Sequence, residues 1–197
     1  HMVQRVCLLR PDILKRTILV LQWMPFIRMD AYPDKQRTLT TVAEHPSAAI
    51  AFSKQVMRLL KHLPRRYVDS LMKKSVPDGR DLAVDLIRTP TYARNFFELG
   101  LEEIRDVPQK PDIAAFRLLG QQCPVCMLFC GNDHWAPEFH MEELQSLQKQ
   151  QMIPATIRME LQAVLVHDFV VRPAMVDSVL EYTLRHIRSV VGSQSKL

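Results

Sequence analysis

Glycine is scarce in this chain. There are five in 197 residues (Gly79, Gly100, Gly120, Gly131 and Gly192), and no two of them stand four apart. A G-x-S-x-G elbow, the strand-to-helix turn that presents a nucleophilic serine, is therefore excluded. Long hydrophobic runs are missing too: none reaches the ~18 residues that a membrane-spanning helix needs. The opening His1-Met2-Val3-Gln4-Arg5 lacks the layout of a secretory signal, so any contact with a membrane would be made by lying on it. Cysteine is limited to Cys7, Cys123, Cys126 and Cys130. The cluster C-P-V-C-M-L-F-C invites a metal, but zinc sites normally take four ligands from flexible knuckles. The run Val125–Cys130 reads instead as a buried strand, and reduced cysteine is among the most buried residue types. The cysteines are assigned to the core of a chain in a reducing compartment, and neither metal nor cofactor is expected. Internal repeats and low-complexity tracts are absent as well.

What is present is the composition of an ordinary soluble globular protein: 47% hydrophobic and 24% charged residues. The length suits one domain with a sizeable core and an insertion. The net charge of +5 is modest, but its surplus is concentrated. Lys54, Arg58, Lys61, Arg65, Arg66, Lys73 and Lys74 face a single acid, Asp69, within that stretch. Such a segment suits anionic lipid head groups, nucleic acid or simple solvation of a helix face. Aromatic interleaving is sparse there, which argues against nucleic acid.

Along the chain, His1–Arg10 has helical spacing with Met2, Val6 and Leu9 on one face, and Pro11-Asp12 is expected to break it. Thr17–Trp23 is a continuous apolar and β-branched run, suited to a strand covered on both faces. Residues 30–110 change to helical character. The clearest helix is Ala48–Leu63, with Phe52, Val56, Leu59, Leu60 and Leu63 on one side and Lys54, Arg58, Lys61 and Arg65 on another. Shorter helices follow over Arg66–Lys74, Asp81–Arg88 and Tyr92–Ile104, punctuated by Pro77-Asp78-Gly79, Thr89-Pro90 and Val107-Pro108. Ile113–Leu119 predicts one or two further helical turns. A second strand over Pro124–Cys130, a helix over Pro137–Gln150, a third strand over Ala155–Leu161 and a closing helix over Ala174–Val191 complete the chain. Strands alternating with helices define an α/β class with a parallel sheet.

In an open parallel sheet, functional groups collect at the carboxyl ends of the strands. Two loops there carry chemistry. Gly131-Asn132-Asp133-His134-Trp135-Ala136-Pro137 follows the second strand, and Gln162–Val166 leads from the third strand to His167-Asp168-Phe169. A carboxylate and an imidazole delivered from neighbouring strand ends are what general-base catalysis requires. The bland alternatives are a helix N-cap for Asp133 and a hydrogen-bonded core residue for His167. A metal site built from Asp133, His134, His140 and His167 is a further alternative, but its spacing matches no zinc motif.

The block Phe129-Cys130-Gly131-Asn132-Asp133-His134-Trp135-Ala136-Pro137, paired with Val166-His167-Asp168-Phe169-Val170, resembles the lipid droplet-associated hydrolase family, a branch of the α/β-hydrolases. The stretch Leu19–Met29 also resembles the family's strand that enters the lid. The likeness extends over nearly the whole chain, strong at these three places and weak through the helical block. It implies a partial α/β-hydrolase fold: parallel strands with a helical lid insertion. Residues 1–29 would begin the core, 30–110 would form the lid over the active site, and 111–197 would complete the core. It implies that Asp133 is the triad acid and His167 the base of a serine-type carboxylic ester hydrolase acting on lipid esters. No cofactor or nucleic-acid partner is implied.

One departure matters: the family's nucleophile elbow has no counterpart here, so the chain is expected to begin just after the serine and to be inactive alone. Phe52, Lys54, Val56, Arg58, Leu59 and Leu60 are the residues expected to meet a lipid-droplet or membrane surface, on the cytoplasmic side of the droplet or endoplasmic reticulum. The competing expectation is a catalytically inactive protein with a truncated hydrolase fold that binds a lipid surface or regulates a longer relative.

Overall fold

The computed structural model describes residues 2–30, 34–73, 80–131, 133 and 135–194. The chain divides into two compact units. One combines residues 1–29, 108–169 and 174–197; the other holds residues 30–107 with 170–173.

The first unit is built on three parallel strands: β1 (Val20–Trp23), β2 (Val125–Cys130) and β3 (Ile157–Gln162), in the order β1-β2-β3. Val20 pairs with Val125 and Trp23 with Leu128, while Val125 pairs with Ile157 and Cys130 with Gln162. All six residues of β2 are buried, as its unbroken apolar run requires of a central parallel strand. The helices of this unit are α1 (Met2–Leu9), α2 (Pro11–Leu14), α8 (Ile113–Gln122), α9 (Glu138–Lys149) and α10 (Pro173–Gln194). They bring Leu14, Phe116, Leu119, Leu144, Val179 and Tyr182 into one core with the strand residues. Gln148 on α9 ties the entry to β3 by donating from Nε2 to the carbonyls of Pro154 (2.9 Å) and Ile157 (2.8 Å).

The break expected at Pro11 is present: α1 ends at Leu9, Arg10 leaves helical conformation, and Pro11 opens the separate helix α2 at its first position, where its missing N–H costs nothing. Other local expectations are corrected. The first strand starts at Val20 rather than Thr17, because the Thr17 hydroxyl and N–H are both held by the end of α2, bonding the carbonyls of Ile13 and Leu14. Ala155 and Thr156 lie in a turn closed by Ile157 N–H to the Pro154 carbonyl. The alternation expected along β3 is also blurred, since Met159, Glu160, Leu161 and Gln162 are all half-buried.

The second unit is helical: α3 (Asp34–Glu44), α4 (Pro46–His62), α5 (Arg65–Met72), α6 (Arg80–Ile87) and α7 (Pro90–Asp106). The breaker Pro77-Asp78-Gly79 and Lys74 lie outside the described residues. Helix α4 packs against α3 and α7, α5 against α6, and α6 against α7, around Val68, Val84, Leu101, Ile104 and Val107. Arg88 donates to the carbonyls of Leu63 (2.7 Å) and Lys61 (3.4 Å), satisfying acceptors left over at the end of α4. The buried side of α4 is rotated from the face that its apolar spacing suggested. Ser53 is buried and Ala49, Ile50, Met57 and Leu60 are half-buried. Phe52 and Leu59 instead remain 72% and 63% exposed.

Two glycines differ sharply in surroundings. A Cβ on Gly131, where β2 ends, would lie 2.5 Å from the backbone oxygen of Ala163, in the loop after β3. A Cβ on Gly100, inside α7, would meet nothing within 4 Å. Gly131→Ala is expected to cost about 1–3 kcal/mol through forced backbone displacement. Gly100→Ala is expected to stabilise by up to about 1 kcal/mol through helix propensity. Urea unfolding of the two variants, side by side, checks both signs.

Candidate active site

The close approach of Gly131 to Ala163 holds the exits of β2 and β3 side by side, and the two loops that leave them carry Asp133 and His167. His167 Nδ1 lies 2.8 Å from Asp133 Oδ2. The Asp133 side chain is fully buried, whereas that of His167 is 38% exposed. Asp133 Oδ1 accepts the backbone N–H of Trp135 at 2.8 Å, and the N–H of Ala136 also points to the carboxylate. Cys130 Sγ, at the last position of β2, donates to Oδ2 at 3.3 Å.

Burial alone would push the Asp133 carboxyl up. The hydrogen bond and charge of His167, with the N–H groups of Trp135 and Ala136, outweigh it and hold the acid below its ordinary value. A carboxylate so placed is ionised at neutral pH and can only accept, so Nδ1 of His167 is the donor and carries the proton. Nε2 is then the nitrogen that faces away from the carboxylate, and no described residue bonds it. Burial, followed by the charge and hydrogen bond of Asp133, pushes the Cys130 thiol up to about 12. Cys130 therefore stays protonated and remains a donor.

Aromatic rings occupy the same strand exits. Met24 follows β1 with φ 46°, a left-handed conformation uncommon for a non-glycine residue. Its N–H donates to the carbonyl of Leu128 at 2.7 Å. This turn sits between Trp23 and Phe26. Trp23 packs edge-on to Phe169 with centroids 6.2 Å apart. Phe26 packs edge-on to Trp135 at 5.5 Å, and Trp135 lies 6.4 Å from the His167 ring.

The residues singled out from the sequence fall into separate places. Asp133 and His167 meet. Asn132 and His134 lie outside the described residues. His140 is buried on α9 with Phe139 edge-on at 4.7 Å, and among the described residues no three His, Cys, Asp or Glu side chains are grouped to hold a metal. Phe52, Lys54, Arg58 and Leu59 are exposed in the helical unit, with Val56 and Leu60 half-buried. Arg65 is drawn out of the basic segment's surplus by Asp85 (2.6 Å) and Asp81 (3.5 Å). Sequence reasoning placed Cys130 in the core and missed its bond to Asp133. Its position three residues before the acid, at a strand end, was the signal. The contact between Trp23 and Phe169 had no local signal, since these residues belong to strand exits that are not neighbours in the sheet.

A three-stranded parallel sheet with helices, and a buried carboxylate hydrogen-bonded to a half-exposed histidine at the carboxyl ends of β2 and β3, defines an α/β protein with a carboxylate–imidazole pair at its strand ends. The chain matches the lipid-droplet associated hydrolase family over residues 1–170, and it belongs to that family. No curated protein and no solved structure matches it. No helix among the described residues is long and apolar enough to cross a membrane.

The depressed Asp133 has a measurable consequence. Its charged form is favoured by folding, so its contribution is full above the unfolded value near ~3.9 and is lost as pH falls through the lower folded value. Asp133→Asn is expected to destabilise the chain by about 1–3 kcal/mol at neutral pH, the range for a lost hydrogen bond to a charged group. That gap should narrow steadily below about pH 4. Chemical denaturation of both proteins across this range reads the difference directly.

Proposed function

We propose that this chain supplies the acid and base of a serine-type hydrolase of carboxylic lipid esters, with Asp133 orienting His167. The reading is carried by one observation: the Nδ1–Oδ2 bond of 2.8 Å, between a buried carboxylate and a ring whose other nitrogen no described residue occupies. The nucleophilic hydroxyl would come from a G-x-S-x-G elbow in a longer chain, because none of the glycine pairs here can flank one.

His167 Nε2 would take the serine proton as the oxygen attacks the ester carbonyl. Asp133 would stabilise the resulting imidazolium without itself being protonated. The same proton would pass to the departing alcohol, and water would release the acyl group by the reverse sequence. The helical unit would serve as the lid.

A second reading, an inactive lipid-surface or regulatory protein, is favoured by the solvent exposure of Phe52 and Leu59 beside Lys54 and Arg58. Apolar side chains flanked by cations are what an interfacial helix presents to anionic lipid. A lipid-droplet or endoplasmic-reticulum surface facing the cytoplasm is the location this would serve.

Two experiments separate the readings. In a chain extended to include the serine, His167→Ala is expected to lower kcat for ester hydrolysis roughly a thousandfold or more, with Asp133→Asn close behind. Hydrolysis unaffected by either change rejects the catalytic reading. Replacing Phe52 and Leu59 together by serine is expected to weaken adsorption to anionic vesicles by about tenfold or more, read by co-flotation. Unchanged adsorption rejects the surface role of α4.

A further inference from the structure

We propose that the solvent side of α10 is a self-association surface, on which two copies of this chain pair antiparallel across a two-fold axis near Leu184. The inference does not depend on the hydrolase reading. Helix α10 turns Val179 and Tyr182 into the core, with Met175 packed against it. Away from the core it carries a second apolar stripe. Val176, Leu180, Leu184, Ile187 and Val191 recur at helical spacing, which sets them in one line along the helix. All five are between 37% and 53% exposed. Apolar residues lined up over about 22 Å of helix are a surface for another chain to cover.

The charges beside the stripe select its occupant. Asp177, Glu181, Arg185 and Arg188 each directly follow a stripe residue, so they form a second line along one flank. A groove of about 560 Å³ is lined by these four with Leu180 and Leu184. The first half of the flank is acidic and the second half basic, an order that complements itself in one arrangement. In an antiparallel pair centred near Leu184, the two copies of Leu184 meet, Leu180 lies opposite Ile187 and Val176 opposite Val191. The same alignment sets Asp177 against Arg188 and Glu181 against Arg185, on both sides of the axis. A parallel pair would oppose acid to acid and base to base. A two-fold contact needs a surface complementary to itself, and a charge order that reverses about its centre supplies one. Within the chain, the side chains of Asp177, Glu181 and Arg188 form no hydrogen bond or ion pair with any described residue. Arg185 is held by Glu160 at 2.7 Å but stays largely exposed. Two acids and two bases cancel, so this flank does not attract anionic lipid as the cations of α4 would.

One helix per copy makes a contact at the small end of specific interfaces, so half-association is expected at roughly 10–100 µM. Sedimentation equilibrium of the 197-residue chain over this range should show a reversible dimer that weakens with added salt. Asp177→Arg and Arg188→Asp each set like charges opposite one another, and each should raise the dissociation constant by about tenfold or more. Combined in one chain they restore opposite signs, and the constant should return to within about threefold of the parent value. Leu184→Glu, checked for folding by circular dichroism, should leave monomer throughout. Leu82→Ser, at an exposed position on α6, should change nothing.

A chain that stays monomeric over this range overturns the proposal, as does a dimer indifferent to Leu184→Glu. Failure of the double charge exchange to restore association excludes the antiparallel alignment and overturns it too. So does a monomer that adsorbs to anionic vesicles and loses that adsorption in Leu184→Glu, which would make the stripe a lipid contact. A chain extended to include the serine is expected to form the same dimer. If the extended chain is monomeric, the stripe is covered from within the longer chain and the proposal fails. None of these outcomes bears on ester hydrolysis, so the catalytic reading stands or falls separately.

Discussion

The arrangement depends on β2 being buried along its whole length and then ending at a glycine pressed against the next strand's exit. Six consecutive apolar or thiol side chains, Val125 to Cys130, are enclosed by the flanking strands and the helices on both faces. That fixes the strand in register with both neighbours. At Gly131 the backbone passes Ala163 with no room for a side chain. The two loops that carry a carboxylate and an imidazole are thereby set at hydrogen-bonding distance before either side chain contributes anything. Interiors packed to crystal-like density do not yield gradually, so such a contact positions groups more firmly than their own single bond could.

The second consequence is an asymmetry within the pair. Asp133 gives up water entirely and is compensated by two backbone N–H groups, a thiol and the imidazole. A buried charge is tolerable only under such full satisfaction. His167 keeps part of its surface open and one nitrogen available. One partner is enclosed and fully hydrogen-bonded and the other is partly open, the division that the proposed base with an orienting acid would use. The acid loop also brings the Trp135 ring to 6.4 Å from the histidine.

The helical unit follows a different logic. Its interior is small, built around Val68, Val84, Leu101, Ile104 and Val107. Helix α4 turns Ser53, Ile50 and Met57 inward, not the widest apolar stripe that its sequence offers. Phe52 and Leu59 remain in water as a result. Ion pairs such as Arg65 with Asp85 are exposed and hold little energy individually, so packing among the helices carries this unit.

Much was legible in the residues alone. The unbroken apolar run at 125–130 marked a doubly covered strand, the alternation of strands with helices marked a parallel sheet, and the two motif blocks marked the family. Those signals are local, since they depend on residue type and short-range spacing. What sequence reading missed was set by distant neighbours. Thr17 is withheld from β1 by the turn before it. The buried side of α4 was chosen by α3 and α7, a choice that periodicity within one helix does not encode. Cys130 became a ligand of the carboxylate through the sharp exit at Gly131. The contact between Trp23 and Phe169 joins residues 146 positions apart. The sequence by itself determined most of the strands and helices and marked the two loops whose Asp133 and His167 meet, because side-chain periodicity and type decide those. Only the tertiary structure decided what lies against His167, because that follows from how three strand ends are packed together in space.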